Sequence, residues 1–198
     1  MSLESMTNKE AWRQKLRGGL KTITPAQREE DSAAALPLLR RQMLWQRAGA
    51  ILFYAPMSSE IDLTPLIEEA LQAGKAVALP RFVGETGTYH AVAISDFKGD
   101  CVPGKFGVAE PGAHCRPISL KRLDLALVPG LGFDVSGGRL GRGQGFYDRL
   151  LADIACAKCG VAFDRQIVKQ LPAAGHDVSM NFILTPTRWL EISTPMCA

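Results

Sequence analysis

Two stripes run side by side along the start of the chain at helical spacing. Between residues 8 and 22, Trp12, Leu16 and Leu20, followed by Ile23, recur on one side while Lys9, Arg13, Arg17 and Lys21 recur on the neighbouring one. That three-and-four spacing lines up side chains on one face of an α-helix, so one face packs and the next is positive. Thr24-Pro25-Ala26-Gln27 then supplies an N-cap hydroxyl, a proline for the first turn and a glutamine at the capping-box position. A second helix should run from there to about residue 46, kinked or split at Pro37. Beyond it the pattern shortens. Residues 50–54 read as a buried strand and 55–59 as the loop beyond its end. A helix is predicted over 65–73, capped by Asp62 or Thr64 and stopped by Gly74. Further strands are predicted at 76–79, 89–94 (more polar), 125–128, 160–163 and 182–184. Short apolar strands alternating with helices imply an α/β fold with a largely parallel sheet flanked by helices on both faces, in three layers (α/β/α). Ligands of such sheets collect beyond the carboxyl ends of the strands.

Composition narrows this to one domain spanning residues 1–198, since 46% hydrophobic and 22% charged residues suit a single full core. The net charge of +3 is concentrated at the start, where residues 1–28 carry six cations against Glu4 and Glu10. A nucleic-acid-binding module built on that stripe is therefore one reading. Five cysteines, an odd number without a framework, imply reduced thiols. Cys156-x-x-Cys159 lacks the second pair that a zinc site wants, and reads as incidental cysteines at a helix end. No stretch approaches the roughly twenty apolar residues of a membrane span, and Glu4 and Glu10 count against a transit peptide. A cytoplasmic monomer without a membrane or nucleic-acid partner is expected.

The chemistry is concentrated in Arg139-Leu140-Gly141-Arg142-Gly143-Gln144-Gly145-Phe146-Tyr147-Asp148. The segment follows an apolar run and precedes a helix start at Tyr147, so it reads as a strand-to-helix loop. Alternate glycines let backbone N–H groups approach a ligand, and two arginines with the following helix favour an anion. It is neither a Walker A loop nor a convincing dinucleotide fingerprint. A plain flexible turn is the alternative, because Gly130, Gly132, Gly137 and Gly138 lie just upstream.

The stretch from Val128 to Asp134, followed by Gly138 to Leu151, resembles the signature of 5-formyltetrahydrofolate cyclo-ligases. Further matches come in the family's order: Lys9 and Arg13, Glu60-Ile61-Asp62 with Pro65-Leu66-Ile67, Gly74-Lys75 with Leu79-Pro80, Phe106-Gly107-Val108 with Glu110-Pro111, and His176-Asp177. The resemblance implies an enzyme that uses ATP and Mg²⁺ to cyclise 5-formyltetrahydrofolate, with or without a polyglutamate tail, to 5,10-methenyltetrahydrofolate. It implies that Arg139 and Arg142 act in catalysis, and that residues 139–147, including Leu140, Gly141, Gly143, Gln144, Gly145, Phe146 and Tyr147, cradle ATP together with Lys9 and Arg13. Glu60 would pair with pterin nitrogens. Tyr54, Ala55, Phe106, Arg142 and 143–146 would complete the folate site, and Asp148 and Asp177 would hold the metal. Two positions depart from the family pattern: Asn181 stands where many relatives carry aspartate, and Phe146 replaces a tyrosine. His176 reads as a structural histidine. A same-fold enzyme for another small substrate, such as a sugar phosphate, stays open on composition alone.

Overall fold

The computed structural model describes the backbone of residues 3–192 and the side chains of residues 8–192 except Phe106. Helix α1 (Leu3–Leu20) carries the two stripes. Helix α2 (Pro25–Arg40) starts as its capping sequence predicts, with Thr24 Oγ1 accepting the Gln27 amide at 3.1 Å. Pro37 stays inside α2, and the break before α3 (Met43–Arg47) comes four residues later, where the Arg41 amide turns to the Pro37 carbonyl. Strand β1 (Ala50–Leu52), helix α4 (Thr64–Gln72) and strands β2 (Ala76–Val83) and β3 (Thr88–Ile94) follow within a few residues of expectation.

A short helix α5 (Phe97–Asp100) leads to a hairpin of β4 (Cys101–Pro103) and β5 (Ala109–Pro111). Strand β6 (Leu125–Pro129) returns to the main sheet. A small three-stranded sheet is then formed by β7 (Gly132–Asp134), β8 (Arg139–Leu140) and β10 (Ile167–Val168). Helix α6 (Phe146–Ala152) and strands β9 (Ala157–Val161), β11 (Phe182–Leu184) and β12 (Trp189–Glu191) complete the chain.

The main sheet has seven strands in the order β12-β11-β9-β6-β1-β2-β3. Its five inner strands, β11-β9-β6-β1-β2, pair in parallel, while β3 and β12 close the edges antiparallel. Side chains alternate across it as the pleat demands. Ile51, Val77, Leu125 and Leu127 face one apolar cluster with Leu16 and Leu20 of α1, Leu36 and Leu39 of α2 and Leu66 of α4. Leu52, Ala78, Ala126 and Val128 face the other, with Leu150 and Leu151 of α6. Helices thus cover both faces, and no helix among the described residues is long and apolar enough to cross a membrane.

Two expectations need correction. The strand placed at 160–163 lies at Ala157–Val161, because its ladder is set by β6, which pairs Leu125 with Ala157 through to Pro129 with Val161. The ten-residue loop is also shorter than expected. Arg139 and Leu140 form β8, turned back on β7 by the Asp134 carboxylate, whose Oδ1 accepts the Ser136 and Gly138 amides at 2.9 Å each. Only residues 141–145 remain as loop before α6.

Candidate active site

From β1 the chain moves outward to β2 on one side, and the later parallel strands build from β6 on the other. Ligands settle at such a switch point. A cavity of about 380 Å³ opens there, lined by Tyr54 and Ala55 after β1, Pro129 and Gly130 at the end of β6, and much of the glycine-rich loop.

The loop is held from behind by α1. Arg13 Nε donates to the Gly141 carbonyl at 3.2 Å and Arg17 Nη2 to the Arg142 carbonyl at 3.0 Å. The amides of residues 141–145 find no acceptor among the described residues. Gly143 and Gly145 sit at φ +110° and +65°, backbone that a side chain would strain. Successive unpaired N–H groups beside cations are what a polyphosphate needs. The helix that follows has only seven residues, so its contribution is small beside that of the arginines.

The two loop arginines differ. Arg142 Nη2 reaches Glu60 Oε1 at 3.1 Å and Ser59 Oγ at 3.2 Å, bridging the loop to the segment after β1 with its side chain still 42% exposed. Arg139 is buried: Nη2 donates to Asp148 Oδ1 at 2.5 Å, Nη1 to the Pro129 carbonyl at 3.4 Å, and Nε lacks a partner among the described residues. Both line the cavity. Glu60 is fully engaged, since its Oε2 accepts the Met57 amide at 3.0 Å. Tyr89, Phe146 and Tyr147 form an aromatic cluster in the cavity lining, with Tyr89 5.5 Å from Phe146 and 5.9 Å from Tyr147, centroid to centroid, and the Arg139 guanidinium 5.7 Å from the Tyr147 ring. Burial, reinforced by the Glu60 charge, pushes the Tyr54 and Tyr147 phenols well above their usual range, so both stay protonated hydrogen-bond donors. Tyr54 already spends its proton on the Ile61 carbonyl at 2.8 Å.

Tyr54, Ala55, Glu60, Arg139, Gly141, Arg142, Gln144, Gly145, Phe146, Tyr147 and Asp148 all line the cavity. Lys9, Arg13, Gly143 and Asp177 do not. Gly143 packs against Arg13 behind the loop. Lys9 Nζ lies 2.8 and 2.5 Å from the two Asp177 oxygens, and Asp177 Oδ2 also takes the Ala174 amide at 2.7 Å. Lys9 and Asp177 are thus each other's partner, with His176 exposed 3.8 Å away. The Leu140 side chain is buried in the core, which leaves its backbone alone for contact. The Phe106 side chain lies outside the described residues. Asn181 accepts the Lys158 amide at 2.9 Å away from the cavity, so this departure from the family pattern is an ordinary strand contact.

Sequence reasoning gave no site role to Arg17, which continues the Lys9–Arg13 stripe one turn further, or to the cavity residues Met57, Pro80, Tyr89, Val108 and Glu110. Among the described residues, three metal-ligating side chains converge at Asp100, His114 and Cys115. They occupy one another: Asp100 takes His114 at 3.0 Å and the Ser95 and Asp96 amides, and the Cys115 thiol faces the Asp100 carbonyl. Cys156 and Cys159 do not sit at a helix end as expected: α6 stops at Ala152, Cys156 is half-buried just before β9, and Cys159 is buried in β9 with its thiol pushed up by burial, which suits packing rather than redox chemistry.

Residues 5–186 match the model of the 5-formyltetrahydrofolate cyclo-ligase family. The chain is 36% identical over 140 residues to a 5-formyltetrahydrofolate cyclo-ligase of Mycolicibacterium smegmatis, covering 68% of this chain and 72% of that one. It is 30% identical over 182 residues to the Escherichia coli K12 protein of the same name, covering 86% and 96%. In three dimensions it resembles the NMR structure of Aquifex aeolicus 5,10-methenyltetrahydrofolate synthetase with a TM-score of 0.85 at 27% identity, over 96% of this chain and 95% of that one. With the match running through both the cavity segments and the loop, the chain belongs to the 5-formyltetrahydrofolate cyclo-ligase family.

Proposed function

We propose that the protein converts 5-formyltetrahydrofolate to 5,10-methenyltetrahydrofolate with cleavage of ATP to ADP and phosphate. The observation that carries this reading is the row of unpartnered amides at 141–145, next to an arginine that spans to the other wall of the cavity. An N5-formyl oxygen is a poor leaving group. Its attack on the γ-phosphorus breaks the bond to ADP and leaves the formyl carbon as an iminium phosphate. N10 then adds to that carbon, loses its proton, and phosphate departs with the former formyl oxygen. Such a reaction needs positioning and charge neutralisation more than proton transfer.

Arg142 is placed to follow the charge. It is the more exposed loop arginine, and it can exchange Glu60 for a phosphate oxygen as the polyphosphate enters. Arg139, fixed by Asp148, supplies a buried positive charge at the cavity wall. The amides of the cavity-lining loop residues Gly141, Arg142, Gln144 and Gly145 bind phosphate oxygens, and Arg13 and Arg17 keep the Gly141 and Arg142 carbonyls turned away. Magnesium fits Asp148, whose Oδ2 has no partner among the described residues, and when bound it neutralises charge between phosphates. Asp177 fits less well, since Lys9 and the Ala174 amide already occupy both of its oxygens. The same contacts weigh against nucleic-acid binding, because Lys9, Arg13 and Arg17 of the basic stripe are turned onto Asp177 and the loop. We take a single chain to be the working unit. We place the reaction in the cytoplasm.

The test is direct. Protein with 5-formyltetrahydrofolate, Mg²⁺ and ATP should form the conjugated methenyl product, and omission of any component should stop it. Folded protein that binds Mg-ATP and makes no product would favour a different small substrate for the same fold.

A further inference from the structure

One charge in the cavity has no task in the scheme above. Glu110, in β5, is 6% exposed and lines the cavity. Its Oε2 accepts the Phe82 amide at 2.9 Å, while its buried Oε1 has no partner among the described residues. A buried acceptor without a donor is costly to leave unmade, and a ligand that completes it is one explanation for its presence. The surroundings are shaped for it. A Cβ on Gly104 would come within 2.5 Å of the Glu110 carboxyl carbon, so the β4–β5 turn must stay bare there. Tyr89, Pro80 and Val108 line the same cavity.

Glu60 is the acidic residue to which the sequence points for folate, yet both its oxygens are committed, to Arg142 and to the Met57 amide. Among the described residues Glu110 is the cavity glutamate with an acceptor free, whereas Glu60 Oε1 is released only when Arg142 turns to the polyphosphate. The folate reading, on which this inference rests, orients the ring. If the N5-formyl end faces the arginine loop, the opposite edge of the bicycle, which bears the 2-amino group, faces away from it. We propose that Glu110 Oε1 accepts a hydrogen bond from the 2-amino edge of the reduced pteridine and so positions the substrate and selects for that edge.

Glu110→Gln tests this. The amide oxygen can keep the Phe82 contact, which turns the NH₂ toward the ligand and sets donor against donor. The expected result is a dissociation constant for 5-formyltetrahydrofolate raised at least 30-fold, an unchanged constant for ADP, and a ligand-free melting temperature equal to or above wild type. A purely structural glutamate would instead lower the melting temperature and leave folate affinity alone. On wild-type protein, the analogue with methyl in place of the 2-amino group should bind much more weakly than its parent, and Glu110→Gln should weaken it little further. Unchanged folate affinity in Glu110→Gln, loss of ADP affinity instead, or equal binding of analogue and parent would each overturn the assignment of Glu110. If wild-type protein neither binds nor converts 5-formyltetrahydrofolate, the folate reading itself falls and takes this one with it.

Discussion

Two glycine-rich segments lie a few residues apart in this chain, and they use their glycines in opposite ways. Between Gly130 and Gly138 the polar groups are spent internally. Asp134 takes the Ser136, Gly138 and Leu171 amides, and Gln166 donates to the Gly130 and Leu131 carbonyls. Between Gly141 and Gly145 the carbonyls of Gly141 and Arg142 are taken by arginines, and the five amides are left over. Composition does not separate these segments. Glycine in the first makes room for Phe133 and Leu16, whereas glycine in the second leaves donors uncovered. A binding loop is marked by unpaired backbone that its neighbours hold in place.

If that contrast is right, damage to the first segment should appear as lost stability and damage to the second as lost turnover. Asp134→Ala should be the most costly change. It orphans three amides, one of them fully buried, and should lower unfolding free energy by about 4 kcal/mol in urea titrations. Arg142→Ala should cost about a hundredfold or more in kcat, roughly 3 kcal/mol of transition-state stabilisation, and shift the urea midpoint little. Near-normal turnover would remove Arg142 from the chemistry.

The Lys9–Asp177 pair sharpens the boundary between the two kinds of role. Lys9→Met leaves a largely buried carboxylate unpaired and should destabilise by about 2 kcal/mol, with much of that recovered in the Lys9→Met, Asp177→Asn double variant. If Lys9 also serves ATP, the KM for ATP stays raised in the double variant although stability returns. A KM that recovers with stability confines Lys9 to anchoring α1. The smallest effect is expected for Arg17→Ala, a half-exposed contact to one loop carbonyl, which should weaken ATP binding by about 0.5–1 kcal/mol.

Helix α1, the capped start of α2 and the parallel strands were legible because burial repeats at short range along the chain. The glycine–arginine loop was legible because its residue types are unusual together, and Glu60 only through the family resemblance. Strands β7, β8 and β10 were not, since two or three residues set no period. The partner of Lys9 was hidden too. It lies 168 residues away, and a lysine's local pattern reads the same whether it faces water or an aspartate. Glu110 was quoted only as half of a matching dipeptide, because a buried unpaired oxygen is a property of the packed interior and leaves no trace in spacing.

The most direct measurement of the central claim is an amide NMR titration of the labelled protein with Mg-ADP and then with a non-hydrolysable ATP analogue. The account predicts large shifts and slowed solvent exchange for the amides of residues 141–145, which gain acceptors, and small changes for Ser136, Gly138 and Leu171, whose partners stay in place. Nucleotide bound with the 141–145 amides unmoved, or with the main shifts in the Asp134 hairpin, would contradict it.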